Sequence, residues 1–326
     1  MAGVDRWDPG MSMGSVQAPT DVVPNPGEAV RAARELAIRK PSFTGLQTRI
    51  RRERLMPVQP LVEQILAIED WPNTFLDETQ EPDPGRLRVR RLVEENEPDD
   101  DLVSLGSIRI SHDGRSLRTF TGKKASEVAI MNCPKSHRML HVEGATAENY
   151  VISQQVAHAT TAIVTEGMSV RWAGGRHDPD VVLYREGGGI AVREIKRDEN
   201  DLRDARLRRN IAVASEILRR AGIGYSVVFR REIFQSIRHR RNAHIFASRG
   251  FAHVSRRQLD AFDDRIAGHG PMATWGELVS LLDRRDRIGA VASAQALVIR
   301  RRVEIDLAQR VRDDLPITLH PATAIH

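Results

Sequence analysis

The sequence predicts an α/β protein, and three observations support that prediction. Helical and strand-like segments alternate from residue 144 to residue 230, in the order helix, strand, strand, strand, helix, strand. Three glycines at 187–189 separate two apolar segments, which is typical of a β-hairpin. The clearest helical pattern, at 200–222, is followed directly by another strand-like run.

The composition is that of a globular protein with a sizeable core. With 326 residues, 40% of them hydrophobic, the chain is long enough for two or three domains. The single cysteine, Cys133, excludes an internal disulfide framework and a cysteine cluster for zinc. It favours a buried hydrophobic role and a cytoplasmic location. The most apolar run, residues 288–299, is too short to span a bilayer, so no membrane role is predicted.

The first 124 residues divide into two segments by composition. Residues 1–44 lack the apolar run of a signal peptide and are rich in Pro, Gly and acidic residues, which predicts disorder. Residues 45–124 are predicted to form an N-terminal extension of unknown role. Its two acidic, proline-bearing segments, 78–87 and 94–101, are typical of linkers.

Short apolar runs predict the remaining strands, two of them before residue 124 and the others, with two helices, in a domain at 125–250. Continuous or alternating apolar residues indicate strands at 105–111, 116–122, 126–132, 138–144, 162–172, 180–186, 190–196 and 223–230. A helix is predicted at 144–160. A second helix, at 200–222, has an Asn or Asp as its N-cap and ends in Gly.

Residues 251–326 are predicted to form a mainly helical domain. Two of its segments begin with a capping box, which pairs Ser or Thr with Gln or Glu three residues later (Ser255–Gln258 and Thr274–Glu277). A third helix at 289–301 leads into a short strand-like run at 302–308. The order helix, turn, helix, strand loosely resembles a winged helix-turn-helix.

Positive charge is concentrated beside the predicted hairpin. Residues 201–250 contain twelve arginines and four acidic residues, a local balance of +8, so that the rest of the chain sums to −3. Such a basic block indicates an anionic polymer as partner, or else a solvated helix face.

Two carboxylates and a lysine around the hairpin form a candidate metal site. Asp180 opens one predicted strand, and Glu194 and Lys196 lie near the end of the next. Because side chains alternate along a strand, Glu194 and Lys196 point to the same face. Mg²⁺ prefers carboxylate oxygens, and a nearby lysine can orient or activate water. The pattern therefore indicates either phosphodiester hydrolysis or an ordinary hairpin with solvated charges.

The HDPD motif at 177–180 and the REIK motif at 193–196 resemble the signature of the PD-(D/E)XK nuclease superfamily. The flanking elements are similar too: a helix with an acidic residue before the motif, and a long helix and a strand after it. The resemblance implies a restriction-endonuclease-like central mixed sheet flanked by helices, followed by a helical, winged-helix-like C-terminal domain. It also implies a third acidic ligand from the first helix, for which Glu148 is preferred and Glu143 is the rival.

Within this superfamily, the chain looks most like the TnsA-like endonuclease subunit of heteromeric transposases. Three stretches carry the resemblance, at 135–152, 176–196 and 274–307, and together they cover roughly residues 125–310. The first 120 residues are longer than the family pattern leads us to expect.

The resemblance implies a mechanism and partners. The carboxylates of Glu148, Asp180 and Glu194 would bind one or two Mg²⁺ ions, for which Mn²⁺ can substitute. Lys196 would position or activate the attacking water, leaving a 5′-phosphate and a 3′-hydroxyl. Double-stranded DNA would be cut at the 5′ ends of a mobile element. A DDE-type transposase subunit would cut the 3′ ends, and an AAA+ ATPase would regulate both.

Six basic side chains are candidate DNA-binding residues. They supply affinity through phosphate contacts rather than sequence recognition, and they are His177, Arg208, Arg209, Arg238, Arg240 and Arg241. A histidine in a loop is also commonly just solvated, and residues 238–242 can equally contact a partner protein.

Two other interpretations of the sequence remain open. A stand-alone PD-(D/E)XK nuclease of the restriction or repair type would cut DNA without a partner. A non-catalytic DNA-binding or scaffold protein with a degenerate nuclease fold would bind DNA without a metal, and Lys196→Ala would leave that binding unchanged.

Overall fold

The computed structural model describes residues 83–111, 116–117, 127–136 and 138–321, together with the backbone of residues 56–57. The α-helices in these ranges are α1 (Pro84–Asn96), α2 (Asp100–Ser104), α3 (Gly144–Val156), α4 (Ala205–Arg220), α5 (Ile237–Ser248), α6 (Arg256–His269), α7 (Trp275–Leu282) and α8 (Arg287–Ile299). The strands are β1 (Met56–Pro57), β2 (Ser107–Ile110), β3 (Val128–Met131), β4 (Leu140–Glu143), β5 (Thr160–Thr165), β6 (Met168–Trp172), β7 (Gly175–His177), β8 (Val181–Arg185), β9 (Ile190–Lys196), β10 (Gly224–Phe229), β11 (Met272–Thr274), β12 (Val303–Ile305) and β13 (Pro316–Leu319). The predicted α/β class is confirmed.

The central sheet is mixed and has the strand order β10-β9-β8-β5. Strand β9 pairs antiparallel with β8 and parallel with β10, and β5 pairs antiparallel with β8. Nearly all residues of these strands are buried, which explains their continuous apolar runs. Helix α4 packs against one face through residues such as Ile211, and α3 packs against the other through residues such as Val151.

A second sheet has the order β1-β2-β6-β7, and all its pairs are antiparallel. Residues 162–172 are therefore not the single extended run expected from the sequence. The chain turns between β5 and β6 at Glu166, whose φ is 48°, and at Gly167. A Cβ on Gly167 would lie 2.3 Å from the side chain of Val164. The prediction was wrong because apolar residues continue on both sides of this tight turn.

Residues 84–96 and 100–104 are helical, although the sequence indicated acidic linkers at 78–87 and 94–101. Asp83 caps α1 by accepting a hydrogen bond from the amide of Gly85, and Pro84 occupies the first helical position. A Cβ on Gly85 would lie 2.7 Å from the carbonyl oxygen of Val227, so α1 closely approaches β10. Strand β2 also pairs with β6. The domain boundary predicted at residue 124 therefore separates elements that share one hydrophobic core.

The C-terminal part consists of α6, α7 and α8 with a three-stranded sheet in the order β11-β13-β12. Both predicted capping boxes are present, at Ser255 and at Thr274. The core of this part also includes Ile152 and Val156 of α3. Helix α3 therefore packs against the central sheet on one side and against the C-terminal helices on the other.

Some predictions lie outside the described residues, namely the segment 1–44 and most of the strand expected at 116–122. Cys133 is free and buried, as expected. Across the described ranges, every helix is too short or too polar to cross a bilayer.

Candidate functional site

The β8–β9 hairpin brings Asp180 next to Glu194. Its turn contains Gly187 and Gly188, whose φ angles of 80° and 85° suit glycine. Val181 pairs with Arg193 in this antiparallel hairpin. When the same register is extended by one residue, Asp180 lies opposite Glu194. We call Asp180, Glu194 and Lys196 the carboxylate–lysine cluster.

Glu194 is the most enclosed member of this cluster, with 3% of the residue exposed. Its Oε1 accepts a hydrogen bond from Lys196 Nζ at 2.5 Å. Its Oε2 accepts one from the Tyr225 hydroxyl at 3.2 Å and lies 3.2 Å from His177 Nε2. Burial alone would raise the pKa of Glu194, but the charge of Lys196 and the interaction with His177 outweigh it and lower the pKa to about 2.

Asp180 is the open side of the cluster, with 33% of its side chain exposed. Its Oδ2 accepts a hydrogen bond from the amide of Ile195 at 2.6 Å and lies 3.8 Å from Lys196 Nζ. Burial and the neighbouring charge of Glu194 raise the pKa of Asp180 to about 7. The two carboxylates therefore differ strongly in how readily they ionise.

Lys196 bridges the two carboxylates and is mostly buried. Burial alone would lower its pKa, but the negative charges of Glu194 and Asp180 outweigh burial and raise the pKa. The ammonium is therefore protonated in this arrangement, and it can orient a water or a phosphate oxygen by donating hydrogen bonds.

Tyr225 and His177 complete the enclosure of Glu194. Tyr225 lies on β10, which runs parallel to β9, and its hydroxyl is 2.8 Å from His177 Nε2. His177 ends β7 and is only 7% exposed, so its position favours a role in holding Glu194 over direct contact with phosphate. Sequence reasoning missed Tyr225. The one available signal was a hydroxyl-bearing residue in the apolar strand that follows the helix at 200–222.

Glu148 and Glu143 do not join the carboxylate–lysine cluster. Helix α3 covers the face of the sheet that carries Ile195, whereas alternation directs Glu194 to the opposite face. Glu143 ends β4 directly before α3, and Glu148 lies in α3, as expected. Among the described residues, no group of three potential metal ligands within 4.8 Å of one another includes either glutamate. Glu148 instead interacts electrostatically with His244 of α5.

The predicted phosphate-binding arginines lie on two helices. Arg238, Arg240 and Arg241 are exposed on α5. On α4, Arg209 is exposed and Arg208 is half-buried. These positions leave the exposed guanidinium groups accessible to a polyanion.

The donor set at this edge suits Mg²⁺ or Mn²⁺, which are hard cations that proteins commonly hold with one or two carboxylates. Asp180 and Glu194 supply two carboxylates from adjacent strands, and the partly exposed side chain of Asp180 gives access from solvent. The third carboxylate implied by the resemblance is not supplied from α3 in this arrangement.

Comparison of the chain with protein-family models and with curated proteins finds no significant match. The function is therefore inferred from the residues and their geometry.

Proposed function

We propose that this protein is a metal-dependent DNA endonuclease, and specifically a TnsA-like subunit of a heteromeric transposase. The observation that carries the proposal is the convergence of Asp180, Glu194 and Lys196 at one edge of a mixed sheet. Two carboxylates beside a protonated lysine match the needs of phosphodiester hydrolysis, where negative charge on the substrate must be neutralised.

The residues have distinct roles in the proposed reaction. Mg²⁺, held by Asp180 and Glu194, would supply charge neutralisation and activate water. Lys196 would hold the attacking water by a hydrogen bond and stabilise the charge that develops on the phosphate oxygens. Because its neighbours keep it protonated, Lys196 acts in this state as a donor rather than as a base.

Three features of the structure support the nuclease proposal. A mixed sheet lies between α3 and α4, which agrees with the restriction-endonuclease-like fold that the resemblance implies. The C-terminal order α6, β11, α7, α8, β12, β13 is compatible with a winged-helix-like domain. The exposed arginines of α5 would contact the phosphates of double-stranded DNA.

The proposed partners follow from the same resemblance. The protein would cut DNA at the 5′ ends of a mobile element, a DDE-type transposase subunit would cut the 3′ ends, and an AAA+ ATPase would regulate both. A subunit of this kind is expected to cut DNA poorly without its partner, so metal binding is a better first test than cleavage.

The test is calorimetric titration of Mg²⁺ or Mn²⁺ into the full chain with a DNA duplex present. We expect the wild type to bind metal, and Asp180→Asn and Glu194→Gln to lose that binding while remaining folded. Asp178→Asn is the matched control, because Asp178 lies two residues from Asp180 but pairs with Arg176 instead. Equal metal binding by the wild type and both cluster variants would contradict the proposal.

One observation favours the alternative of a non-catalytic protein. Both oxygens of Glu194 already have partners, from Lys196 on one side and from Tyr225 and His177 on the other. A degenerate site would keep this closed arrangement when metal is added. In that case DNA would bind equally well with and without Mg²⁺, and Lys196→Ala would leave that binding unchanged.

A further inference from the structure

A second cluster of potential metal ligands lies away from the carboxylate–lysine cluster. One ligand atom each from His158, Glu304 and His320 lies within 4.8 Å of the other two. His158 is in the turn between α3 and β5, Glu304 is on β12, and His320 directly follows β13. Three segments far apart in sequence therefore meet at this point.

The C-terminal sheet sets two of these ligands on one face. Glu304 pairs with Thr318, and His320 is two residues further along the same strand direction, so the two side chains are diagonal neighbours. His320 Nε2 lies 3.3 Å from Glu304 Oε2. Two ligands that bind one Zn²⁺ tetrahedrally at about 2.0–2.1 Å are themselves about 3.3 Å apart.

His320 Nε2 also lacks a hydrogen-bond partner among the described residues, although the atom is buried. Its contact with Glu304 is close but is not aligned as a hydrogen bond. Buried polar atoms in folded proteins are nearly always paired with protein, water or an ion. A cation between His320 and Glu304 would satisfy both groups.

His158 is held in place by contacts to the C-terminal part. Its Nε2 lies 3.1 Å from the carbonyl oxygen of Arg301, and its own carbonyl oxygen accepts a hydrogen bond from Arg301 Nε at 2.7 Å. A metal-binding histidine commonly uses one ring nitrogen for such a contact and the other for the metal; the other nitrogen of His158, Nδ1, lies 3.8 Å from Glu186 Oε2. The guanidinium of Arg301 is paired with Glu186 at 2.9 Å, which offsets its positive charge near a cation.

We propose that His158, Glu304 and His320 bind a divalent transition-metal ion of the Zn²⁺ type. Two imidazoles and one carboxylate suit Zn²⁺, Co²⁺ or Ni²⁺ rather than Mg²⁺, which prefers oxygen ligands. Three protein ligands leave at least one position for water. The ion connects the turn before β5 to the C-terminal sheet. This site is independent of the proposed nuclease function.

The proposal is tested by titrating the metal-free full-length protein with Co²⁺, followed by displacement with Zn²⁺. With Mg²⁺ in excess to occupy the carboxylate–lysine cluster, we expect one Co²⁺ per chain, with the visible absorption of a site of low coordination number, and no displacement of that Co²⁺ by Mg²⁺. His320→Ala and Glu304→Gln should each weaken binding by about 10-fold or more. Zn²⁺ should raise the melting temperature of the wild type but not that of His320→Ala.

Two controls make the outcome specific. His269→Ala removes an exposed histidine at the end of α6 and should bind Co²⁺ like the wild type. Asp180→Asn should also keep this site, which separates it from the proposed Mg²⁺ site. Glu304 is more than half exposed, so Glu304→Gln tests the ligand without disturbing a core. The proposal is overturned if the wild type binds no Co²⁺ or Zn²⁺, or if both variants bind them as tightly as the wild type does.

Discussion

At the scale of single residues, Asp180 and Glu194 face each other but have opposite pKa shifts. Lys196 and His177 stabilise the ionised form of Glu194, whereas burial and the charge of Glu194 disfavour the ionised form of Asp180. The cluster therefore carries one fixed negative charge on Glu194, and a second that appears on Asp180 near neutral pH. A cation bound at this edge would favour the second ionisation and lower the pKa of Asp180.

Asp180→Asn is expected to stabilise the metal-free protein at pH 8 by about 1–2 kcal/mol, a value reduced because a third of the side chain is exposed. The folded-state pKa of about 7 lies above the unfolded value, so the folded state binds more protons between about pH 4 and pH 7. Stability due to Asp180 is thus present at acidic pH and is lost as the pH rises through 7. Asparagine does not ionise, so the variant does not lose stability over this pH range.

The measurement is urea unfolding of wild type and Asp180→Asn at pH 5 and pH 8. The advantage of the variant should be small at pH 5, where Asp180 is already protonated, and should appear at pH 8. A constant difference at both pH values would show that Asp180 does not titrate in this range. Asp178→Asn serves as the control, since Asp178 is paired with Arg176 outside the cluster.

Two buried tyrosines provide a matched pair of substitutions. The Tyr225 hydroxyl donates to Glu194 and contacts His177, so Tyr225→Phe should destabilise the fold by about 1–2 kcal/mol. The Tyr184 hydroxyl is buried without a hydrogen-bond partner among the described residues, so Tyr184→Phe should be neutral or slightly stabilising. Urea unfolding of both variants gives the comparison. Equal effects would mean that the Tyr225 hydroxyl does not stabilise Glu194.

At the scale of elements, helix α1 is fixed to the edge of the central sheet by one arginine. Arg88 donates through Nε and Nη2 to the carbonyl oxygen of Val227 at 3.2 and 2.9 Å, and it also pairs with Glu232. Its guanidinium lies 4.0 Å from the centre of the Phe229 ring. These contacts use the edge of β10 and join residues 84–96 to the central sheet.

Arg88→Ala is therefore expected to destabilise the protein by about 2 kcal/mol. The control is Arg90→Ala on the same helix. Arg90 is exposed and pairs with Glu94 one turn away, so the expected loss is below about 0.5 kcal/mol. Thermal unfolding of the two variants measures both effects. A similar small loss in both would indicate that the contacts of Arg88 with Val227, Glu232 and Phe229 contribute little to stability.

The elements with strong local signals were predictable from the sequence. The β8–β9 hairpin followed from three glycines between apolar runs, and α4 followed from its helical periodicity. Helix α1 was missed because its acidic and proline-rich start, Pro84 with Asp83 before it, is also the composition of a linker. The split between β5 and β6 was missed because it depends on which sheet each half joins, and neighbouring residues do not specify that.

The difference between local signals and contacts between distant segments also explains how much of the site was predictable. Alternation along β9 was sufficient to set Glu194 and Lys196 on one face, and the hairpin added Asp180. Tyr225 could not be assigned, because it reaches Glu194 only when β10 pairs in parallel with β9. Packing of β7 beside this strand pair determines the position of His177, and the sequence carries no local signal for that contact.

At the scale of the whole molecule, α3 connects the central sheet to the C-terminal part. Val151 belongs to the core on the sheet side, while Ile152 and Val156 belong to the C-terminal core. The reciprocal contacts between His158 and Arg301 join the two parts again, just beyond the end of α3. Separating the parts would expose one side of α3 and break these bonds.

We therefore expect residues 138–321 to unfold in a single cooperative transition rather than as two domains. Leu183→Ala in the central sheet and Leu278→Ala in α7 each remove a fully buried side chain, at a cost of about 2–5 kcal/mol. If the two cores are coupled through α3, each variant lowers the temperature of the same calorimetric transition, and circular dichroism reports the same single midpoint. If Leu278→Ala instead splits the calorimetric transition and produces an early one that Leu183→Ala does not, the C-terminal part unfolds alone, and α3 does not transmit stability between the two cores.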